Sequence, residues 1–291
     1  MSSMTTLPAR VIPTRRVEFT FQPGLHRHFM NGDLVQSHVV AILSSMFPEG
    51  EDFFVRSVRN YRSRIHDPEL KRQVSGFIGQ EAVHGREHRE FNDRLAEFGY
   101  PTHLVDRCVH HGLALLGKVQ PRRDQLAVTA ALEHYTATLA EVFLTCDMTD
   151  LSDVEEVRSI FQWHALEESE HKSVAFDVFQ QVCGKHHVRA GVMRATTVVF
   201  LVALALGTAI SLALDPASRD LRRLRRSFAN FRRSPFLSEH VRDRLRDYYR
   251  RDFHPDDHDT TELLHRWRAE LFGTSGSLNA KVKGARAAAA A

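Results

Sequence analysis

The sequence predicts an all-α protein built as a helical bundle, and three observations carry that reading. Val, Ile and Thr rarely alternate with polar residues, so strand signals are almost absent. Apolar residues recur instead at helical spacing along most of the chain. Proline, glycine and capping residues then divide it at helix-length intervals. With 291 residues, 43% hydrophobic and 26% charged, the chain suits one large or two small domains with a sizeable core.

A first helix is expected over residues 33–45, and Pro48 opens a second over 49–65. Asp67-Pro68 pairs an N-cap with proline at the first helical position and starts a helix that runs to Phe98 and stops at Gly99. A shorter helix covers 104–118, and another follows Pro121 to about Met148. Ser152-Asp153-Val154-Glu155 reads as a capping box that opens a long helix ending at Gly184. Residues 195–214, between Arg194 and Asp215, then contain no charge, which is the length of a membrane span or of a helix buried in the bundle or in a dimer interface.

Seven arginines follow, Arg219, Arg222, Arg223, Arg225, Arg226, Arg232 and Arg233, with Phe228 and Phe231 among them. Such a stretch suits an anionic membrane surface or the protein's own acidic face. A single span would put the arginines and the helices before it on opposite sides of a membrane, so attachment to the cytoplasmic face is the more consistent membrane reading. The expected organisation is therefore a disordered start at 1–15, a helical bundle at 16–190, the apolar helix and basic helices packed on bundle or membrane at 191–272, and a disordered Gly/Ser/Ala-rich tail at 273–291.

Lys and Arg total 39 against 36 acids, a formal charge of +3, which is too near balance to announce a nucleic-acid binder. Cys108, Cys146 and Cys183 lie far apart and make no Cys-x-x-Cys, which argues against a disulfide framework and a thiolate zinc site. The polar start, with Arg10, Arg15 and Arg16 and no apolar run behind them, does not read as a secretory signal, so the cytoplasm is the expected location.

The 18 histidines are the unusual count. Glu81-Ala-Val-His84 and Glu168-Ser-Glu-His171 are both Glu-x-x-His, and residues three apart on a helix share a face. Each motif follows a helix with a lone glutamate, Glu51 before the first and Glu133 before the second. This unit, repeated twice, is what a four-helix bundle uses to enclose two metal ions between carboxylates. Four Glu and two His carry four negative charges, which balance two divalent iron or manganese ions. The stripes agree, since Phe77, Glu81, His84, Phe91 and Leu95 share one face and His164, Glu168, His171, Ala175 and Val178 another. Ionised carboxylates on apolar rows are costly unless they bind metal or pair.

Accidental Glu-x-x-His motifs are cheap in such a sequence. Glu262-Leu-Leu-His265 has no partner glutamate helix and is read as a decoy. Glu49 competes with Glu51, which is preferred because Phe54, Val58 and Ile65 continue its face, and Glu167 competes with Glu168, which lies between His164 and His171 on one stripe. His88 is expected to hydrogen-bond behind a ligand, His134 to point elsewhere, and Glu170 and Lys172 to face solvent. His110-His111 and His186-His187 read as surface histidines.

At these residues the chain resembles the bacterial family of predicted metal-dependent hydrolases, through Phe47-Pro48-Glu49-Gly50-Glu51, Gln80-Glu81-x-x-His84, Leu132-Glu133-His134 and Trp163-His164-x-x-Glu167-Glu168-x-Glu170-His171-Lys172. The ligand pattern is also similar to ferritin-like di-iron oxygenases of the p-aminobenzoate N-oxygenase type, whose last helix offers His-x-x-x-Glu-x-x-His. That resemblance implies a ferritin-like four-helix bundle with additional C-terminal helices. It also implies a seven-residue ligand set, Glu51, Glu81, His84, Glu133, His164, Glu168 and His171, with no catalytic residue assigned beyond it.

The expected cofactor is two iron ions, with manganese or zinc as alternatives. The expected function is an O2-dependent oxygenase or oxidase acting on a small organic substrate, with an aromatic carboxylate or amine as one candidate, and with an unidentified electron donor. The alternatives are a metal-dependent hydrolase that uses an activated water and a metal-storage protein. Besides substrate and O2, a cytoplasmic membrane surface and a second copy of the chain are the candidate partners, and nucleic acid is not one.

Overall fold

The computed structural model describes residues 11–21 and 24–283. The fold is all-α. Among the described residues no strand forms, and the one isolated bridge pairs Val17 with Val282.

Helices α1 (Leu34–Arg59), α2 (Pro68–Glu97), α4 (Arg122–Thr145) and α5 (Glu155–His171) make the bundle, with α6 (Val174–Val182) continuing α5. Helix α3 (Thr102–Val119) is the long crossover that carries the chain back between α2 and α4. The amino-terminal parts of α2 and α4 meet the carboxy-terminal part of α1 in one apolar core, formed by Phe54, Val58, Val74, Phe77, Leu126, Ala131 and the α6 residues Phe176 and Phe179. The opposite ends meet in a second core around Val40, Phe91, Leu95, Phe143, Ile160, Phe161 and Trp163. Helix α1 is thus antiparallel to α2, and α4 to α5. The waist between the two cores is where the histidines and glutamates lie.

Helix α1 joins the two helices expected at 33–45 and 49–65, and Pro48 sits inside it. Proline cannot donate to the carbonyl four residues back. That carbonyl, Ser44 C=O, accepts instead from Asn92 Nδ2 on α2 at 3.0 Å, so no acceptor is stranded and the helix continues. Asp67 caps α2 as expected, accepting from the amides of Glu69 and Leu70, and Gly99 (φ +86°) and Gly184 (φ +60°) supply the left-handed stops.

The capping box at 152–155 does not form. Ser152 is buried, and its hydroxyl donates to Phe29 C=O at 2.6 Å and accepts from Val154 N–H, which leaves Val154 at the N-cap of α5. Helix α4 stops at Thr145 rather than near Met148, because Asp147 caps a new 3-10 turn, Met148–Asp150. The helix expected to reach Gly184 unbroken is interrupted for one turn at Lys172 and Ser173, directly behind His171.

Helix α7 (His186–Leu214) packs along α1 and α4. It is long and apolar enough to cross a membrane by length and composition, and it is not enclosed by the bundle: Val198, Val199, Leu201, Val202, Leu206 and Ile210 stay exposed. Helix α8 (Leu221–Phe231) places Leu224 and Phe231 on the start of α1, with Arg222, Arg225 and Arg226 exposed. After α9 (Glu239–Asp247), α10 (Thr261–Phe272) lies on α5, and its Trp267 Nε1 donates to Leu144 C=O in the last turn of α4 at 2.8 Å.

Residues 273–283, read from sequence as part of a tail, are packed. Leu278 is buried in the second core, and Lys281 C=O and Lys283 N–H bond the backbone of Glu18 and Arg16. Its apolar anchor and these backbone bonds outweigh its small-residue composition. Residues 1–10 and 284–291 lie outside the described part. The start of the chain is likewise held, with Ile12 buried in the first core and Pro13 C=O accepting from Gln80 Nε2 at 3.0 Å.

Asn92→Leu removes the donor to Ser44 C=O and is expected to cost about 1–3 kcal/mol; adding Pro48→Ala restores an N–H for that carbonyl and recovers part of the loss in urea unfolding. His38, between Ser211 and Asp215, and His134, which donates to Arg244 C=O at 2.8 Å, have their pKa values lowered by burial to about 4. At these two residues the unfolded chain binds more protons than the folded one between about pH 6.5 and 4, so each withdraws stability as pH is lowered through that window. His134→Gln, which keeps a donor for Arg244 C=O, should therefore lose less of its urea midpoint than the wild type between pH 7 and 4.5, and an equal loss would refute this.

Candidate metal centre

Each of the four bundle helices contributes to one cluster at the waist. Helix α1 brings Glu51, α2 brings Glu81 and His84, α4 brings Glu133, and α5 brings His164, Glu168 and His171. All seven side chains are buried. His171 Nε2 lies 3.1 Å from Glu81 Oε1, 3.3 Å from Glu133 Oε2 and 3.4 Å from Glu168 Oε2. His84 Nδ1 lies 3.8 Å from Glu81 Oε2 and 3.6 Å from Glu168 Oε1. His164 Nε2 lies 2.8 Å from Glu168 Oε1 and 3.9 Å from Glu51 Oε1. The six residues picked out by spacing and His164, added by the resemblance, are thus brought together, with Glu168 at the centre.

The residues around them fix which nitrogen of each imidazole faces inward. His84 Nε2 donates to Glu167 Oε2 at 3.1 Å, leaving Nδ1 toward the carboxylates. His171 Nδ1 donates to Gln80 Oε1 at 2.9 Å, leaving Nε2 inward. For His164 the assignment runs through a relay. Ser44 Oγ donates to Asn92 Oδ1 at 2.7 Å, so it accepts from His88 Nδ1 at 2.9 Å. His88 Nε2 is then bare and accepts from His164 Nδ1 at 2.5 Å, which turns His164 Nε2 inward to Glu168 Oε1, 2.8 Å away, and toward Glu51. Burial lowers the pKa of His88 and of His164, in keeping with neutral rings.

Several inward atoms have no hydrogen bond: both oxygens of Glu51, Glu81 and Glu133, His84 Nδ1 and His171 Nε2. Buried groups of this kind normally find a partner. Burial, reinforced by the neighbouring carboxylates, pushes Glu51 and Glu133 well above the usual carboxylate range. At His84 and His171 burial opposes the charge, but the surrounding carboxylates win and raise both well above an ordinary imidazole. Without metal, the cluster holds protons where cations would balance its charge. Convergent oxygen and imidazole donors at this spacing form overlapping groups able to hold metal ions. A further group, His28, His38 and Asp215, is different, because both imidazoles already bond Asp215 Oδ2, at 2.8 and 3.0 Å.

Glu49 lies outside the cluster, paired with Arg89 and His110, and His134 points away from it to Arg244 C=O. Glu262 and His265 are exposed on α10. Two expectations are corrected. Glu170 is fully buried rather than solvent-facing, held by Arg15 Nη1 at 2.7 Å, Arg268 Nε at 2.6 Å and Gln80 Nε2 at 2.8 Å. Lys172 is buried too, with Nζ donating to His258 C=O and to Thr260 Oγ1.

Sequence reasoning missed Gln80, the supporting part of Glu167 and the Arg15 clamp, which also reaches Glu167 Oε1 at 2.9 Å. The clamp joins residues 155 positions apart, beyond any local pattern. Only the quoted block Gln80-Glu81-x-x-His84 carried a signal for Gln80. The residue that closes the clamp belongs to the segment expected to be disordered.

Arg15→Ala leaves Glu170 buried with half its donors and is expected to cost about 3 kcal/mol. Deleting residues 1–15, which also removes the buried Ile12 and the Pro13 carbonyl that accepts from Gln80, should cost at least as much in urea unfolding.

A family model described as predicted metal-dependent hydrolase matches residues 13–259. No curated protein and no solved structure matches the chain. The resemblance to p-aminobenzoate N-oxygenases therefore gains no support from these comparisons. The family match spans all seven clustered residues together with Arg15, Gln80 and Glu167. On that coverage the chain belongs to the family of predicted metal-dependent hydrolases.

Proposed function

We propose that this protein is a hydrolase working through two divalent metal ions held by Glu51, Glu81, His84, Glu133, His164, Glu168 and His171. The observation that carries the reading is the set of buried, inward atoms of Glu51, Glu81, Glu133, His84 and His171 that make no hydrogen bond. Such a set, contributed by all four helices and supported from behind, is costly unless cations complete it. The donor set fits two divalent ions in charge, since four carboxylates balance four positive charges. The chemistry such ions supply when bound is a lowered pKa for water and polarisation of a carbonyl or phosphoryl oxygen.

The chain's own residues orient and shield. Glu167 and Gln80 lock His84 and His171, and the Ser44–His88 relay locks His164. Thr136 Oγ1 donates to Glu168 Oε2 at 2.5 Å and holds that carboxylate in place. Glu51, Glu168 and Thr136 also line a cavity of about 640 Å³, so the substrate side of the centre is the Glu51–Glu168 side. The apolar walls of that cavity exclude bulk water and leave the carboxylates as the polar groups near the reacting bond.

A second reading, an O2-dependent di-iron oxygenase or oxidase, draws on the inward Nε2 of His164, which would make a third imidazole ligand beside Glu51 and Glu168.

Elemental analysis of protein made in iron-, manganese- and zinc-supplemented cells, followed by ester and phosphoester assays with and without O2, tests both readings. About two metal ions per chain, with hydrolysis unchanged under anaerobic conditions, is the expected result. Two irons per chain with a visible band on admitting O2 and no hydrolysis would move the assignment to the oxygenase. Protein that takes up no metal would overturn both. Glu168→Ala and His171→Ala should lose metal while circular dichroism stays helical, and His265→Ala should retain it. Equal retention in all three would sink the ligand assignment.

A further inference from the structure

The cavity of about 640 Å³ beside the centre is enclosed by α1, α3, α4, α5 and α7, a size ordinary for a small-molecule site. Its walls are aliphatic and aromatic, among them Leu43, Val109, Leu113, Leu139, Phe200 and Ala203. Among the polar lining side chains, Tyr135 has its hydroxyl taken up by Thr197 Oγ1 at 3.0 Å. Gln120 and Thr196 add two neutral polar groups to the lining, and Glu51 and Glu168, the ionisable carboxylates, lie with Thr136 at the metal-centre side. Apolar walls with ionisable groups at one side suit a ligand with a polar end and a hydrocarbon body.

The mouth has the same character. Leu104 on α3 and Val199, Leu206 and Ile210 on α7 line the cavity and are also 45%, 68%, 59% and 47% exposed. The opening therefore lies between α3 and α7 and is rimmed by side chains that gain by meeting hydrocarbon. Beyond it the exposed faces of the same helices continue through Leu115, Val119, Val198 and Val202. The exposed arginines Arg222, Arg225 and Arg226 of α8 come next in the chain. An aromatic acid or amine would need polar partners along the walls, which are scarce there. A straight aliphatic chain needs none.

We propose that this cavity is the binding site for the hydrocarbon chain of a fatty-acyl or fatty-alcohol-type amphiphile. The chain enters between α3 and α7 and its polar end lies against Glu51, Glu168 and Thr136. This names the substrate class of the site proposed above and rests on that reading for the position of the polar end; the chain-binding walls stand apart from it. The amphiphile has two sources, a bilayer carrying anionic lipid or free molecules in solution.

Cys108 lines the cavity and is an exposed free thiol, so its alkylation by N-ethylmaleimide reports occupancy. Peptide mass spectrometry separates it from Cys146 and Cys183. The probes are butanol, octanol, decanol and dodecanol, neutral amphiphiles that do not require metal for charge balance. The concentration that halves the Cys108 rate is expected to fall roughly four-fold per added methylene.

Gly112 also lines the cavity, and a Cβ built there meets nothing within 4 Å. Gly112→Trp therefore fills the space without a clash at its Cβ and is expected to abolish the alcohol-dependent protection while the metal content stays unchanged. Ala203→Phe, from the opposite wall, serves if that variant does not fold. Protection independent of chain length, or equal protection in a folded filled variant, would overturn the proposal.

Elemental analysis of the same samples separates the two readings. Protection in protein that takes up no metal keeps the chain site and removes the metal centre, and metal without protection does the reverse. Phosphatidylglycerol vesicles that protect Cys108 and co-sediment the protein, where phosphatidylcholine vesicles do not, identify the bilayer as source. Protection by free alcohols without vesicle binding identifies the soluble molecule, and protection by neither overturns the proposal.

Discussion

Four carboxylates and three imidazoles are packed into the waist of a helical bundle, where water cannot solvate them. An ion or a proton has to supply what water does not. The organisation around the waist follows from that constraint. Apolar cores above and below it hold the four helices at fixed register, since Phe54, Val74 and Phe176 on one side and Phe91, Phe161 and Trp163 on the other leave the cluster no room to spread. The antiparallel pairing of α1 with α2 and of α4 with α5 then brings two lone glutamates and two Glu-x-x-His motifs to one level.

Around the cluster lies a second layer of polar side chains that orients the first. Gln80, Glu167, His88 and Ser44 each use one hydrogen bond to hold an imidazole and another to stay satisfied themselves. Asn92 accepts from Ser44 Oγ while donating to the carbonyl that Pro48 leaves open. A proline inside α1 and the tautomer of His164 are thus tied to a single amide. Outside this layer Glu170 is neutralised by Arg15 and Arg268, which come from the two ends of the chain. That buried carboxylate gives the amino-terminal segment and α10 a reason to be ordered.

The crossover helix α3 and the apolar helix α7 extend the bundle on the side where Glu51 and Glu168 face outward. Close approach of α7 to α1 is set by Gly207, where a Cβ would come within 2.8 Å of Ile42 Cγ2. Below that crossing the helices stand apart from the bundle enough to leave the cavity. Its walls and its rim are apolar together, so one surface serves both as container and as approach.

The sequence by itself determined the all-α class, the starts and stops at Asp67, Gly99, Pro121 and Gly184, and six residues of the cluster, with His164 joined to them through the resemblance. These are short-range facts: a helix turns 100° per residue, so spacing alone places Glu81 with His84 and Glu168 with His171 on one face. It also separated Glu51 from Glu49 and Glu168 from Glu167, because the apolar stripe continues through only one of each pair. Tertiary structure decided the rest. Pro48 became internal to α1 because Asn92, 44 residues on, supplied the missing donor, and Ser152 left its capping role for the carbonyl of Phe29. Glu170, charged and local in appearance, was buried because two arginines met it from 155 and 98 positions away. Residues 195–214, ambiguous between span and core, became a half-exposed wall. Such outcomes depend on partners distant in sequence, and a hydrogen bond or ion pair across the bundle outweighs the few tenths of a kilocalorie by which local preferences differ.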